Sequence, residues 1–244
     1  EKNGPPTLPN FGLADGIAAS YGTFATMFAL YYRDVQGGKG QFIDLSIYEP
    51  IFQLLGPQPM AYDQLGIIQE RMGNRSLNNA PRNTYQTLDK HWVAISTNSP
   101  SIVKRVLTLC GGEDVANDPR FQTPAGRVEF IDEVDGVVAN WISQHNLNEV
   151  LEKFEEVEAA VGPVYNIAQI FEDPQYIARN DIIDLNDEDL GKIKMTAGFP
   201  FMSETPPEIR HAGPSKGKHN EEIYCKELKL GVEDLDLLKE KGVI

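Results

Sequence analysis

The sequence has few cysteines and few positive charges. Its 244 residues include only two cysteines, Cys110 and Cys225. They form no CxxC pair, and two thiols are too few for the disulfide framework of a small secreted domain. Lys and Arg number 22 against 36 Asp and Glu, which gives a formal net charge of −14 at pH 7. This average charge would repel a phosphate backbone, so we expect no nucleic-acid partner.

Long apolar runs and metal-binding motifs are also lacking. No stretch reaches the ~18 uninterrupted apolar residues typical of a membrane helix, so we expect no membrane partner. The four histidines, His91, His145, His211 and His219, show no HxH or HExxH spacing, and no metal site is predicted. The chain opens on Glu1 without a signal-peptide pattern. We therefore expect a cytoplasmic protein and a processed, trimmed or truncated chain.

Apolar periodicity predicts a mixture of helices and strands. Residues 16–33 are apolar almost all round, which predicts a buried helix entered at Asp15. Residues 42–47 alternate like a short strand, and 84–97 predict a hairpin that turns at Asp89 and Lys90. Further helices are predicted within 48–55, 100–109, 126–160, 164–180, 220–228 and 232–241, and two strands within 182–198. Helices and strands without steady alternation indicate an α/β or α+β fold with a distinct middle domain.

Five segments in order resemble the family III CoA-transferases, the CaiB/BaiF family, which includes formyl-CoA transferases and α-methylacyl-CoA racemases. They are GLADGIAASYGTFATMFALYYRDVQGGKGQFIDLSIYEPIF (12–52), RMGNRSLNNAP (71–81), YQTLDKHWVAI (85–95), VGPVYNIAQIFEDPQYIAR (161–179) and GKHNEEIYCKELKLGVEDLDLLKEKGVI (217–244). Family members fold as interlocked dimers, with a Rossmann-like large domain and a smaller inserted domain. The resemblance therefore implies an α/β chain that supplies part of that large domain and a smaller α+β domain, in a homodimer.

The resemblance also implies a division of the chain. Residues 1–60 would be a large-domain segment, 61–83 a linker or active-site loop, 84–184 the small domain, 185–199 a linker, and 200–244 a return to the large domain. In the family, most CoA contacts and the first strands of the sheet come from upstream of the catalytic Asp. We therefore expect the N-terminal half of the enzyme, in the same chain or a separate one, as a partner, and weak CoA binding without it.

Asp15, in GLADGIAA, is the catalytic residue that the resemblance carries over. In the transferases this carboxylate attacks an acyl-CoA thioester, and an aspartyl anhydride and then an aspartyl-CoA thioester pass CoA to an incoming carboxylic acid. The substrates implied are an acyl-CoA and a carboxylic acid, with no permanently bound cofactor. A helix N-terminus favours an ionised Asp, and Gly16 beside it lets a substrate approach the backbone. Without the resemblance, Asp15 would be interpreted as a helix N-cap. We expect its side chain to face a cleft.

The loop at 73–81 differs from the formyl-CoA transferases, which hold a run of glycines there. Here it begins Gly73-Asn74-Arg75, which argues against oxalate or formyl specificity. Gly73 and Asn74 are predicted to shape the acyl pocket, with an ordinary turn as an equal alternative. Two other functions stay open. One is an acyl-CoA racemase or epimerase, in which the same Asp exchanges a proton together with a His. The other is a non-catalytic subunit of a paired CoA-transferase.

Overall fold

The computed structural model describes residues 4–244, and the chain divides after Pro163 into two units. The elements of the first unit are α1 (Leu13–Asp34), α2 (Tyr48–Leu54), α3 (Gln58–Leu65), β1 (Arg82–Gln86), β2 (Trp92–Ser96), α4 (Pro100–Ala116), a 3-10 turn (Pro119–Phe121), α5 (Pro124–Glu129), α6 (Ile131–Ile142), α7 (Leu147–Glu156) and β3 (Val161–Pro163). Those of the second unit are α8 (Ile167–Glu172), α9 (Pro174–Ala178), β4 (Ile182–Asp187), β5 (Gly191–Thr196), a π-helical segment (Glu221–Glu227) and α10 (Val232–Glu240).

The hydrophobic core of the first unit lies between a small sheet and three helices. β1, β2 and β3 form an antiparallel sheet in that order, with Tyr85 opposite Val93 and Val93 opposite Pro163. Alternate residues of β2 point inward, so Val93 and Ile95 are buried while their neighbours are exposed. The helical side of this core is built by the buried residues Val106 of α4, Val138 and Ile142 of α6, and Val150 and Phe154 of α7.

Local signals in the sequence explain where several helices begin or bend. α7 begins with a capping box between Asn146 and Glu149, and α9 begins where the Asp173 carboxylate accepts the backbone N–H groups of Gln175 and Tyr176. The helical backbone is interrupted at Gly111-Gly112, where the sequence predicts the helix to end. Gly112 has the non-helical angles φ +81° and ψ 177°, and a short further helical stretch follows within α4 to Ala116. Such a backbone conformation is open essentially only to glycine.

Two predictions for the start of the chain are wrong in this structure. Residues 42–47 are not a strand. Phe42 is 91% exposed, and none of the strands within residues 4–244 pairs with this segment to supply the ladder of hydrogen bonds that strand formation requires. Helix α1 covers the predicted span, but it is not a buried helix: Ala18 is the one residue of this helix that is buried. Most of its large apolar and aromatic side chains are exposed instead: Leu13, Phe24, Met27, Phe28, Tyr31 and Tyr32.

The second unit contains a two-stranded antiparallel sheet and short helices. β4 pairs with β5 from Ile182 opposite Thr196 to Asp187 opposite Gly191. The two strands predicted within 182–198 are therefore observed. Asp184 on β4 forms ion pairs with Lys192 and Lys194 across the sheet. Among residues 4–244, each helix is too short or too polar to cross a membrane.

Candidate active site

The first unit contains a cleft of about 1060 Å³. One wall is almost the whole segment 67–77, which connects α3 to the approach to β1. Asn83 and Thr84 of β1, Trp92 of β2 and Asp132 of α6 form the facing wall. The cleft is therefore bounded by an irregular segment on one side and by the rigid sheet and helix core on the other.

Gly73 and Asn74, the two residues predicted to shape the acyl pocket, both line this cleft. Gly73 has φ +68°, a left-handed conformation that glycine adopts without steric cost. The Asn74 side-chain amide donates a 2.8 Å hydrogen bond to the Thr84 hydroxyl. This bond fixes the irregular wall against β1, so Gly73 and Asn74 hold a defined position in the cleft.

A polar network centred on Asp135 of α6 ties the same wall to the core. The Asp135 carboxylate is almost fully buried and accepts hydrogen bonds from Arg75 Nε (2.8 Å), Asn83 Nδ2 (2.9 Å) and the Tyr85 hydroxyl (2.8 Å). Arg75 Nη2 also lies 2.7 Å from Asp132 Oδ1. Burial, followed by the Asp135 charge, raises the pKa of Tyr85 far above its usual value. The phenol therefore stays a hydrogen-bond donor to Asp135.

Arg127 of α5, which is almost fully buried, holds the end of the irregular segment. Its guanidinium donates to the carbonyl oxygens of Ala80 (2.7 Å) and Phe121 (2.9 Å) and to Asn79 Oδ1 (3.2 Å). Burial lowers the pKa of Arg127 from its usual value. Asp135 and Arg127 were both missed by sequence reasoning, because a single charged residue on a helix is normally solvated and no local pattern marks these two as buried.

Asp15 lies elsewhere in the first unit. It is the third residue of α1, so the predicted position at a helix N-terminus is observed, and its side chain is exposed. The carboxylate lies beside Gly12, where a Cβ would approach Asp15 Oδ2 to 3.2 Å. Gly16 has open space around its Cα, although its backbone N–H donates within the helix to the Gly12 carbonyl. Neither Asp15 nor Gly16 lines the cleft that contains Gly73 and Asn74. The prediction that the Asp15 side chain faces a cleft is therefore not met at this cleft.

The part of the chain that the structure describes contains no cluster of three His, Cys, Asp or Glu side chains able to hold a metal ion. Cys110 packs against the first unit's core, and burial raises the pKa of its thiol to about 12. A thiol so strongly protonated is a poor nucleophile. The exposed carboxylate of Asp15 is therefore a better candidate nucleophile than the Cys110 thiol.

Comparison with known proteins places the chain in a family. Residues 1–220 match CoA-transferase family III, and the chain belongs to this family. It is 35% identical over 240 residues to the succinyl-CoA–D-citramalate CoA-transferase of Chloroflexus aurantiacus, covering 98% of this chain and 60% of that protein. It is 32% identical over 245 residues to the beta subunit of the succinyl-CoA–L-malate CoA-transferase of the same species, covering 100% of this chain and 60% of that protein.

The fold agrees with that assignment. A crystal structure of a CaiB/BaiF family protein from Brucella suis superposes with a TM-score of 0.71 at 24% identity, over 93% of this chain and 58% of that one. The family prediction and the mixed α/β fold are thus confirmed. The chain spans about 60% of the length of the curated relatives it matches.

Proposed function

We propose that this chain carries the nucleophile and part of the acyl pocket of a CoA-transferase that moves CoA between carboxylic acids. The observation that carries the proposal is the exposed carboxylate of Asp15 in the first turn of α1, within a chain of family III. Covalent catalysis by a carboxylate requires an ionised and accessible oxygen.

The proposed reaction begins when an Asp15 carboxylate oxygen attacks the carbonyl carbon of the acyl-CoA thioester. The C–S bond breaks, CoA leaves as a thiolate, and an aspartyl-acyl anhydride remains. The thiolate then attacks the Asp15 carbonyl carbon, releasing the donor acid as a carboxylate and leaving an aspartyl-CoA thioester. The carboxylate of the second acid attacks this thioester and forms a new anhydride. The expelled thiolate finally attacks the acid's carbonyl, which gives the new acyl-CoA and regenerates Asp15.

The acyl group would lie against Gly73 and Asn74 in the cleft. Both residues are fixed there, by the left-handed turn at Gly73 and by the bond from Asn74 to Thr84. The wall that holds them also contributes Met72, Arg75 and Leu77 to the cleft. A cleft of about 1060 Å³ has room for acids larger than oxalate, which supports the specificity expected from the missing glycine run.

Bringing Asp15 to such a pocket requires further polypeptide, which we propose to be the N-terminal half of the enzyme within an interlocked homodimer. The exposed face of α1 supports this proposal. Phe28 alone is 69% exposed. Covering that fraction of an aromatic side chain would remove roughly 100–170 Å² from water, worth about 3–4 kcal/mol. In the same proposal, residues 1–60 and 200–244 belong to the large domain and 84–184 to the small domain.

A paired assembly of two different chains is the second candidate, because two similar proteins of Chloroflexus aurantiacus are named as the alpha and beta subunits of one CoA-transferase. In that case the chain could support a partner that performs the catalysis. The two candidates make different predictions for Asp15, since only a catalytic chain needs its carboxylate.

The test compares Asp15→Asn with Asp34→Asn in the complete protein, using succinyl-CoA and a panel of acceptor acids. Asp34 lies at the other end of α1 and pairs with Arg33 at the surface, so its substitution is a matched control. We expect Asp15→Asn to abolish CoA transfer and Asp34→Asn to leave it unchanged. Unchanged transfer by Asp15→Asn would favour the supporting subunit, and α-proton exchange with solvent in place of transfer would favour a racemase.

A further inference from the structure

The guanidinium of Arg75 has two carboxylate partners that differ in accessibility. Asp135 is 8% exposed at its side chain and is held in place by hydrogen bonds from Asn83 and Tyr85. Asp132 is 88% exposed at its side chain and pairs with Nη2 at 2.7 Å. The first partner is therefore part of the packed network, while the second lies at the surface of the cleft.

Arg75 and Asp132 both line the cleft. Burial by itself would lower the pKa of Arg75. The hydrogen bonds to Asp132 and Asp135 outweigh that effect, and the pKa of Arg75 is raised above its usual value. An exposed ion pair contributes little net free energy, because solvent screens it and two long side chains must be ordered. A carboxylate arriving in the cleft could replace Asp132 on Arg75 with little loss, whereas Asp135 would continue to orient the guanidinium.

We propose that Arg75 determines the specificity of the acyl pocket by binding the distal carboxylate of a dicarboxylic acyl group, which takes the position of Asp132. The proposal rests on the proposed function and names its substrate class. A guanidinium fixed through Nε presents its remaining N–H groups as a rigid fork that matches a carboxylate. The apolar side chains of Met72, Leu77 and Trp92 also line the cleft and would contact the methylene groups between the two carboxyl ends.

The test measures the preference for succinyl-CoA over butyryl-CoA, two acyl groups of the same length of which only the first ends in a carboxylate. We expect Arg75→Gln to reduce the ratio of their kcat/KM values about 10- to 100-fold, the loss typical of charge-assisted hydrogen bonds. Arg75→Lys should retain part of the preference. Asp132→Asn should lower KM for succinyl-CoA, because it removes the competing carboxylate.

Arg120→Gln is the matched control. Arg120 also lies between two carboxylates, Asp118 and Glu133, but outside the cleft, so its substitution should leave the ratio unchanged. Circular dichroism and melting temperatures would verify that each variant folds. An equal loss for both acyl-CoAs in Arg75→Gln would overturn the proposal, because it would show that Arg75 only anchors the wall. A rise in KM for succinyl-CoA in Asp132→Asn would also overturn it.

Calorimetric titration of the Asp15→Asn protein with the two acyl-CoAs separates this proposal from the proposed function. A preference for succinyl-CoA that disappears in Asp15→Asn/Arg75→Gln supports the role of Arg75, even if the native protein transfers no CoA. Equal binding of the two acyl-CoAs to Asp15→Asn would refute the role of Arg75, while CoA transfer by the native protein could still stand.

Discussion

Replacing Asp135 by Ala is expected to destabilise the first unit by about 3–5 kcal/mol, the range for breaking a buried, hydrogen-bonded charge pair. The structure explains this size. The substitution leaves the Tyr85 hydroxyl, whose residue is 3% exposed, without its acceptor, which by itself costs about 1–3 kcal/mol. Arg75 and Asn83 lose the same acceptor. Deletion of the carboxylate also leaves a small cavity.

Tyr85→Phe tests the same network from the other side. It removes one donor while Asp135 retains Arg75 and Asn83, so the expected cost is only about 1–1.5 kcal/mol. In the Asp135→Ala/Tyr85→Phe variant no hydroxyl remains to be left unpaired. The double variant should therefore be more stable than the sum of the single changes predicts, by about 1–2 kcal/mol.

Urea unfolding followed by tryptophan fluorescence measures these free energies. Both tryptophans, Trp92 and Trp141, belong to the first unit, so the signal reports on the unit that contains the network. A cost below about 1 kcal/mol for Asp135→Ala, or strict additivity in the double variant, would refute the argument that Asp135 is a buried acceptor shared by the cleft wall and the core.

Three further predictions concern residues outside the cleft. Gly112→Ala should destabilise the protein by about 1–3 kcal/mol because of its left-handed φ, whereas Gly136→Ala, inside α6 with open space for a Cβ, should stabilise it by about 0.5–1 kcal/mol; urea unfolding of both variants would check the opposite signs. Phe154→Ala should cost about 3–5 kcal/mol, because its side chain is fully buried, and a loss below ~1 kcal/mol would contradict the described core. Cys110, with its pKa raised from 9.0 to about 12, should hold about a thousandfold less thiolate at pH 8 than an ordinary cysteine. Mass spectrometry after iodoacetamide treatment should show slow labelling of Cys110 in the native protein and fast labelling in urea. Equal labelling rates would contradict the burial of this thiol.

Local signals predicted the elements whose cause is local. The hairpin over 84–97 forms because alternating apolar residues flank a short turn, and Lys90 adopts the positive φ that this turn needs. A new helix begins at Asp173-Pro174 because the Asp173 side chain caps its N-terminus and because proline is well tolerated at the first helical position. Each of these depends on residues within a few positions of one another.

The remaining features depend on residues distant in sequence. Apolar and polar residues alternate in 42–47 as they do in a strand, but this pattern cannot supply a neighbouring strand. The segment is therefore not paired in a sheet. The network around Asp135 joins positions up to 60 residues apart, and Arg127 reaches back 47 residues to Ala80. Gly73 and Asn74 were predicted as site residues from the family resemblance alone, and the structure adds that both line one cleft. The catalytic role of Asp15 stays a prediction.

The most direct test of the central claim is to trap the intermediate on Asp15. The complete protein is incubated with succinyl-CoA, treated with hydroxylamine, digested and analysed by mass spectrometry. A thioester or anhydride on a carboxylate reacts with hydroxylamine to give a hydroxamate, so the account predicts a hydroxamate at Asp15 that depends on the acyl-CoA and is absent from Asp15→Asn. Transfer activity with no hydroxamate at Asp15, or with the hydroxamate on another residue, would contradict the account.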